Sequence, residues 1–160
     1  MKRSLRGFVA WFCLVAAVAA LGAIASRDAP SFYGALSRPP WAPPAEVFGP
    51  VWTLLFTLMA IAAWRVWSGA GFGGARPALS LFLVQLVFNC AWSWLFFSLH
   101  RGAWALVDIA ILWACVAATT ALFARRDKIA ALMLLPYLAW VSFAAALNFS
   151  VWQRNPALLS

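Results

Sequence analysis

Residues 129–150 read IAALMLLPYLAWVSFAAALNFS, 22 positions without a charged side chain. A helix needs about 20 predominantly apolar residues to cross the hydrocarbon of a bilayer. The apolar residues here fall all round a helical wheel rather than along one stripe, as lipid requires. Spanning strands would show alternating segments of about ten residues instead. Working back towards the N-terminus, four more runs of this kind appear, near Phe8–Ser26, Val47–Trp67, Leu79–Leu99 and Ala103–Ala124. Arg65 stands in the last turn of the second run, and Asp108 lies inside the fourth. The expectation is an all-α, polytopic membrane protein: one domain over residues 1–160, built as a five-helix transmembrane bundle.

Composition supports that class. The chain is 66% hydrophobic and only 10% charged, too little charge to cover a water-soluble domain of 160 residues. Its net charge of +8 raises the question of nucleic acid. The basic residues sit in short clusters between the apolar runs, not along one face, which excludes a nucleic-acid surface and reads as topology signals. Lys2, Arg3, Arg6, Arg65, Arg76, Arg125, Arg126 and Lys128 fall on one side of the membrane. Arg27, Arg38, Arg101 and Arg154 fall on the other. The positive-inside rule then puts the N-terminus in the cytoplasm; inner and outer membrane are not distinguished. The first run has a rival reading. A basic start, an apolar stretch and Ala23-Ile24-Ala25 resemble a signal peptide with its cleavage site, although the run is nearly long enough to span.

The first connection, residues 27–46, holds Pro30, Pro39, Pro40, Pro43 and Pro44. Proline lacks an amide donor and resists helix interiors, so an ordered or extended surface loop is expected, able to act as a lid. The second connection, around Ser68–Pro77, is glycine-rich and should be flexible.

Two runs carry polar and aromatic side chains at helical spacing. Gln85, Asn89, Trp92, Ser93 and Phe96 share one face of the third run. Amides in hydrocarbon are costly unless hydrogen-bonded, so this face should turn into the bundle. It could serve as interhelical glue or as the wall of a ligand cavity. In the fifth run Tyr137, Trp140, Ala144 and Asn148 share a face behind Pro136, which should kink the helix. Trp52 and Phe56 form an aromatic i, i+4 pair at the loop end of the second run. Asp108 lies near the headgroup boundary and reads as an interfacial, solvated or hydrogen-bonded structural residue; no charge stands at the midplane to drive ion-coupled export. Cys13, Cys90 and Cys115 lie in three separate runs, and His100 is the only histidine. That leaves no metal-ligand cluster, no bis-histidine haem site and no nucleophile–base pair; no catalytic or metal residue is assigned.

Several segments together resemble the translocator protein family, which includes the tryptophan-rich sensory proteins (TspO). They are FYGALSRPPWAPP at 32–44, VFGPVWT at 47–53, QLVFNCAWS at 85–93, WALVD at 104–108, PYLAW at 136–140 and ALN at 146–148. The order is the family's, from about residue 30 to Asn155; the first run adds only its place. The resemblance implies five transmembrane helices and commonly a homodimer. It also implies that porphyrins, haem-related tetrapyrroles or aromatic drug-like molecules bind in a cavity capped by the first loop. Carried across by position, Tyr33, Trp41, Trp52, Gln85, Asn89, Trp140, Ala144 and Asn148 match cavity or capping positions. Phe32 stands where the family usually has tryptophan. Phe149 stands where a cholesterol-recognition pattern needs tyrosine, so cholesterol is not expected as the native ligand. The resulting expectation is a ligand-binding sensor or regulator with no resident cofactor, the tetrapyrrole being its ligand. Light-dependent porphyrin degradation through tryptophan radicals, and transport of the ligand, are the alternatives.

Overall fold

A computed structural model describes residues 4–159. Lys2 and Arg3, counted above for orientation, lie outside the described residues. The described chain is helical, without a strand: α1 (Leu5–Ala25), α2 (Ala29–Ala35), α3 (Phe48–Gly74), α4 (Arg76–Ser93, continued by a π-helical turn, Trp94–Ser98), α5 (Gly102–Ala124) and α6 (Lys128–Arg154). All but α2 are long and apolar enough to cross a membrane. This is the five-span bundle expected from the hydrophobic runs.

The helix ends follow the local sequence. Ser4 begins α1, its hydroxyl accepting from the Gly7 amide. Asp127 begins α6, one carboxylate oxygen accepting from the amides of Ile129 and Ala130. Pro77 occupies the first turn of α4, where its missing amide costs nothing.

Two connections differ from the sequence expectation. Helix α3 runs on through the glycine-rich stretch to Gly74, and Ala75 alone joins it to α4, so the second connection is a tight hairpin and not a flexible loop. Gly71 makes this possible, because its φ of 67° breaks the helix in a conformation that side chains disfavour. The first connection is ordered but partly helical. Pro30 sits in the first turn of α2, and a short 3₁₀ turn, Ala45–Val47, leads into α3. The Tyr33 hydroxyl donates to the Pro43 carbonyl at 3.0 Å, folding the proline segment back on α2. Asn155 then clamps the loop: its Oδ1 accepts from the Ser37 amide and its Nδ2 donates to the Ser37 carbonyl, both at 2.9 Å. Burial pushes the Tyr33 hydroxyl above its ordinary pKa, with Arg38 opposing from over the ring.

Helix α5 packs between α4 and α6, α3 packs on α6, and α1 packs on α3 and α4. The first run is thus a working part of the bundle. Gly7 admits the Trp67 ring so closely that a Cβ there would overlap it, and the Trp64 indole donates to the Ser4 carbonyl. One contiguous apolar core joins all five spans, from Val15 of α1 to Val151 of α6.

Asp108, expected to be interfacial, solvated or hydrogen-bonded, is neither solvated nor hydrogen-bonded through Oδ2. It is only 7% exposed, and its Oδ2 has no hydrogen-bond partner among the described residues. Helix α5 packs against both α4 and α6, and Asp108 shares its buried face with Ala105 and Leu112.

Candidate functional site

A cavity of about 740 Å³ lies between α1, α3 and α4, beneath α2 and the 3₁₀ turn. That volume falls within the range of small-molecule sites, about 300–1,000 Å³. Its wall is mainly apolar. Trp52, Phe56 and Phe48 come from α3, Trp92 and Phe97 from the α4 segment, and Tyr33 from the loop. Polar groups are few: Asn89 and Ser93 on α4, Thr53 and Thr57 on α3, Ser26 at the end of α1, and Glu46 in the cap.

The faces singled out in the sequence divide between this wall and its support. Trp52, Phe56, Asn89, Trp92 and Tyr33 line the cavity. Gln85, Tyr137 and Asn148 stand behind it, fully buried. The Tyr137 hydroxyl donates to Gln85 Oε1 at 2.8 Å and accepts from Asn89 Nδ2 at 2.9 Å. This fixes the Asn89 amide at the cavity wall. Asn148 Oδ1 accepts from the Trp92 indole at 3.0 Å, while its Nδ2 donates to the Gly102 carbonyl at 3.1 Å. The α6 amide therefore acts through Trp92, by orienting a ring that faces the cavity. The two roles left open by sequence, glue and wall, coexist on the α4 face.

The remaining candidates lie farther out. Phe96 stacks on Trp92 at 5.4 Å, with 11° between the rings. Ala144 is buried in the helix core. Trp140 sits between Phe48, at 5.9 Å, and Phe143, at 5.3 Å, its buried Nε1 unpartnered among the described residues. Trp41 rests on Phe143 at 5.8 Å and is 49% exposed. A line of rings thus leads from Tyr33 and Phe48 at the cavity wall out through Trp140 to Phe143 and Trp41, which do not border the cavity.

Comparison with known proteins agrees with this architecture. The model of the TspO/MBR family matches residues 10–153. The chain belongs to the TspO/MBR family. Protein CrtK of Rhodobacter capsulatus is 41% identical over 155 residues, covering 96% of this chain and 95% of its own. The tryptophan-rich protein TspO of Chlorobaculum tepidum is 42% identical over 132 residues, 81% of this chain and 83% of its own. The human translocator protein is 39% identical over 127 residues, 78% of this chain and 75% of its own.

In this TspO/MBR chain, one wall of the cavity was not singled out from sequence. Val15, Ala16, Ala19, Ala20 and Ala23 of α1 all line it, with Phe12 a turn below. The available signal was the i, i+3, i+4, i+7 register of Ala16, Ala19, Ala20 and Ala23, a stripe of small residues that leaves volume beside a helix.

Proposed function

We propose that this TspO/MBR membrane protein is a sensor or regulator that binds a planar hydrophobic ligand, a porphyrin or related tetrapyrrole, in the cavity between α1, α3 and α4. One observation carries the reading: a space of about 740 Å³ walled by Trp52, Phe56, Trp92 and Tyr33 and addressed by a single pre-oriented amide, Asn89. Flat rings suit that wall, because aromatic pairs favour offset or edge contacts beyond their area burial. Apolar burial contributes roughly 25 cal/mol per Å², so a few hundred Å² of ring surface supplies several kcal/mol before ordering costs. Those costs are low here. The cap is held by the Asn155–Ser37 clamp and the Tyr33–Pro43 bond, and its prolines restrict it further. The relatives named tryptophan-rich sensory protein and translocator protein are consistent with a ligand-responsive membrane role.

The test is quenching of tryptophan fluorescence by protoporphyrin IX in nanodiscs. Trp52→Ala is expected to weaken binding about tenfold, equivalent to ~1.4 kcal/mol. Ala20→Trp, which fills the space from α1, is expected to abolish it. Trp41→Ala, outside the cavity, is expected to change little. Wild-type affinity in both Trp52→Ala and Ala20→Trp would reject this cavity as the site.

Two placements belong to the same proposal. The positive-inside rule sets the α3–α4 and α5–α6 connections, with Arg65, Arg76, Arg125, Arg126 and Lys128, in the cytoplasm beside the N-terminus. The exposed apolar face of α5, including Trp104, Val107 and Ile111, suits a second copy in a homodimer.

A further inference from the structure

At the end of the bundle away from the cap, a second cavity of about 430 Å³ lies where the last turns of α3 meet the α5–α6 connection. It is bordered by Arg65, Ser68, Arg125, Arg126 and Asp127, with Gly69 and Ala70 completing the α3 side. Its charged side chains are three arginines against one carboxylate. The one carboxylate is already committed. Asp127 Oδ2 pairs with Arg65 Nη2 at 2.9 Å, and Oδ1 accepts from Arg65 Nη2 and the α6 amides. The donors are left over. Arg65 Nε is buried with no partner among the described residues, so one edge of its guanidinium fork is unused. Ser68, which borders the same space, is 3% exposed, and its buried hydroxyl is also unpartnered among the described residues. The Arg125 and Arg126 side chains are exposed at the rim. A buried serine hydroxyl in a helix ordinarily bonds back to the preceding turn, as Thr53, Thr57, Thr119 and Thr120 do here; Ser68 does not.

Two orphan donors at the base and two guanidinium groups at the rim, facing a carboxylate that is already saturated, call for an acceptor-rich anion. We infer that this crevice binds a phosphate-type oxyanion, held by Arg125 and Arg126 and seated on Ser68 Oγ and Arg65 Nε. Arginine recognises such oxygens with two parallel bonds, and charge-assisted bonds of this kind are the strong ones. The oxyanion can reach the crevice as the phosphodiester headgroup of an anionic lipid or as free phosphate. The site is separate from the ring-lined cavity, with which it shares no lining residue.

Two measurements on the full-length protein separate these sources. Native mass spectrometry reads lipid retention from nanodiscs containing phosphatidylglycerol and phosphatidylcholine. Thermal unfolding in delipidated detergent reads stabilisation by inorganic phosphate. Preferential retention of phosphatidylglycerol assigns the headgroup, and stabilisation by phosphate without lipid selectivity assigns the free anion; either result upholds the site. The double variant R125Q/R126Q is expected to lower the response about tenfold or more, as loss of charged hydrogen bonds implies. Ser68→Ala, which keeps every charge, is expected to lower it several-fold. Arg154→Gln removes a charge at the opposite end and is expected to leave it unchanged, and porphyrin quenching is expected to persist in all three. Neither lipid preference nor phosphate stabilisation, or an equal loss in Arg154→Gln, would overturn the site.

Discussion

At the scale of single residues, Tyr137 supports the cavity wall from behind it. Its hydroxyl joins Gln85 and Asn89 across α4 and α6 at 2.8 and 2.9 Å. Tyr137→Phe leaves a buried amide oxygen without a donor and a buried amide nitrogen without an acceptor. The expected loss is about 1–3 kcal/mol of stability, read by SDS titration of the folded protein, with weaker porphyrin binding because Asn89 is released. Unchanged unfolding would show that the amides find other partners. The residues of this network were legible in the sequence for a clear physical reason: an amide or phenol within hydrocarbon must turn inward, so Gln85, Asn89, Tyr137 and Asn148 declared their faces. The alanines of α1 were not legible. Ala16, Ala19 and Ala20 look the same to hydropathy whether they meet lipid, a neighbouring helix or an open space. Helical phase also failed to separate Trp140 from Trp92. Both lie on inward faces, and only the neighbouring helix decides which one borders the cavity.

Among the helices and their connections, the cap shows what local sequence reveals and what it hides. Five prolines between residues 27 and 46 marked an ordered or extended surface loop. Nothing local marked Asn155 as its anchor, because that partner lies 118 residues away. Asn155→Ala removes both bonds to Ser37 and is expected to free residues 36–43 for faster amide exchange, measured by hydrogen–deuterium exchange. Ligand dissociation is expected to accelerate several-fold in stopped-flow quenching while the bundle stays folded. An unchanged exchange rate would locate the restraint in Tyr33 and the prolines alone. The α3–α4 hairpin shows the opposite error. Glycines suggested slack, but Gly71 spends its freedom on a single positive φ, and the chain closes through Ala75.

For the whole molecule, five spans followed directly from five apolar runs, since every backbone amide in lipid must be satisfied within its own helix. Charge is gathered at the two ends. At the α5–α6 connection burial alone would raise the Asp127 carboxyl, but the Arg65 guanidinium and the Ala130 and Ile129 amides hold it below the usual carboxylate value. A depressed carboxyl contributes stability in full above its unfolded pKa and loses it as the pH falls through the folded value. Wild-type protein is therefore expected to lose Tm progressively below the ordinary aspartate range. Asp127→Asn, with no charge to lose, is expected to start lower and to decline less over the same acid window. Parallel curves would remove Asp127 as the acid-sensitive group.

The joints around the cavity are unequal: a single residue, Ala75, fastens α3 to α4, whereas residues 26–47 separate α1 from α3. The covalent tether is therefore short at one end and long at the other, where the Ser98 hydroxyl, donating to the Ala25 carbonyl at 2.9 Å, fastens the end of α1 instead.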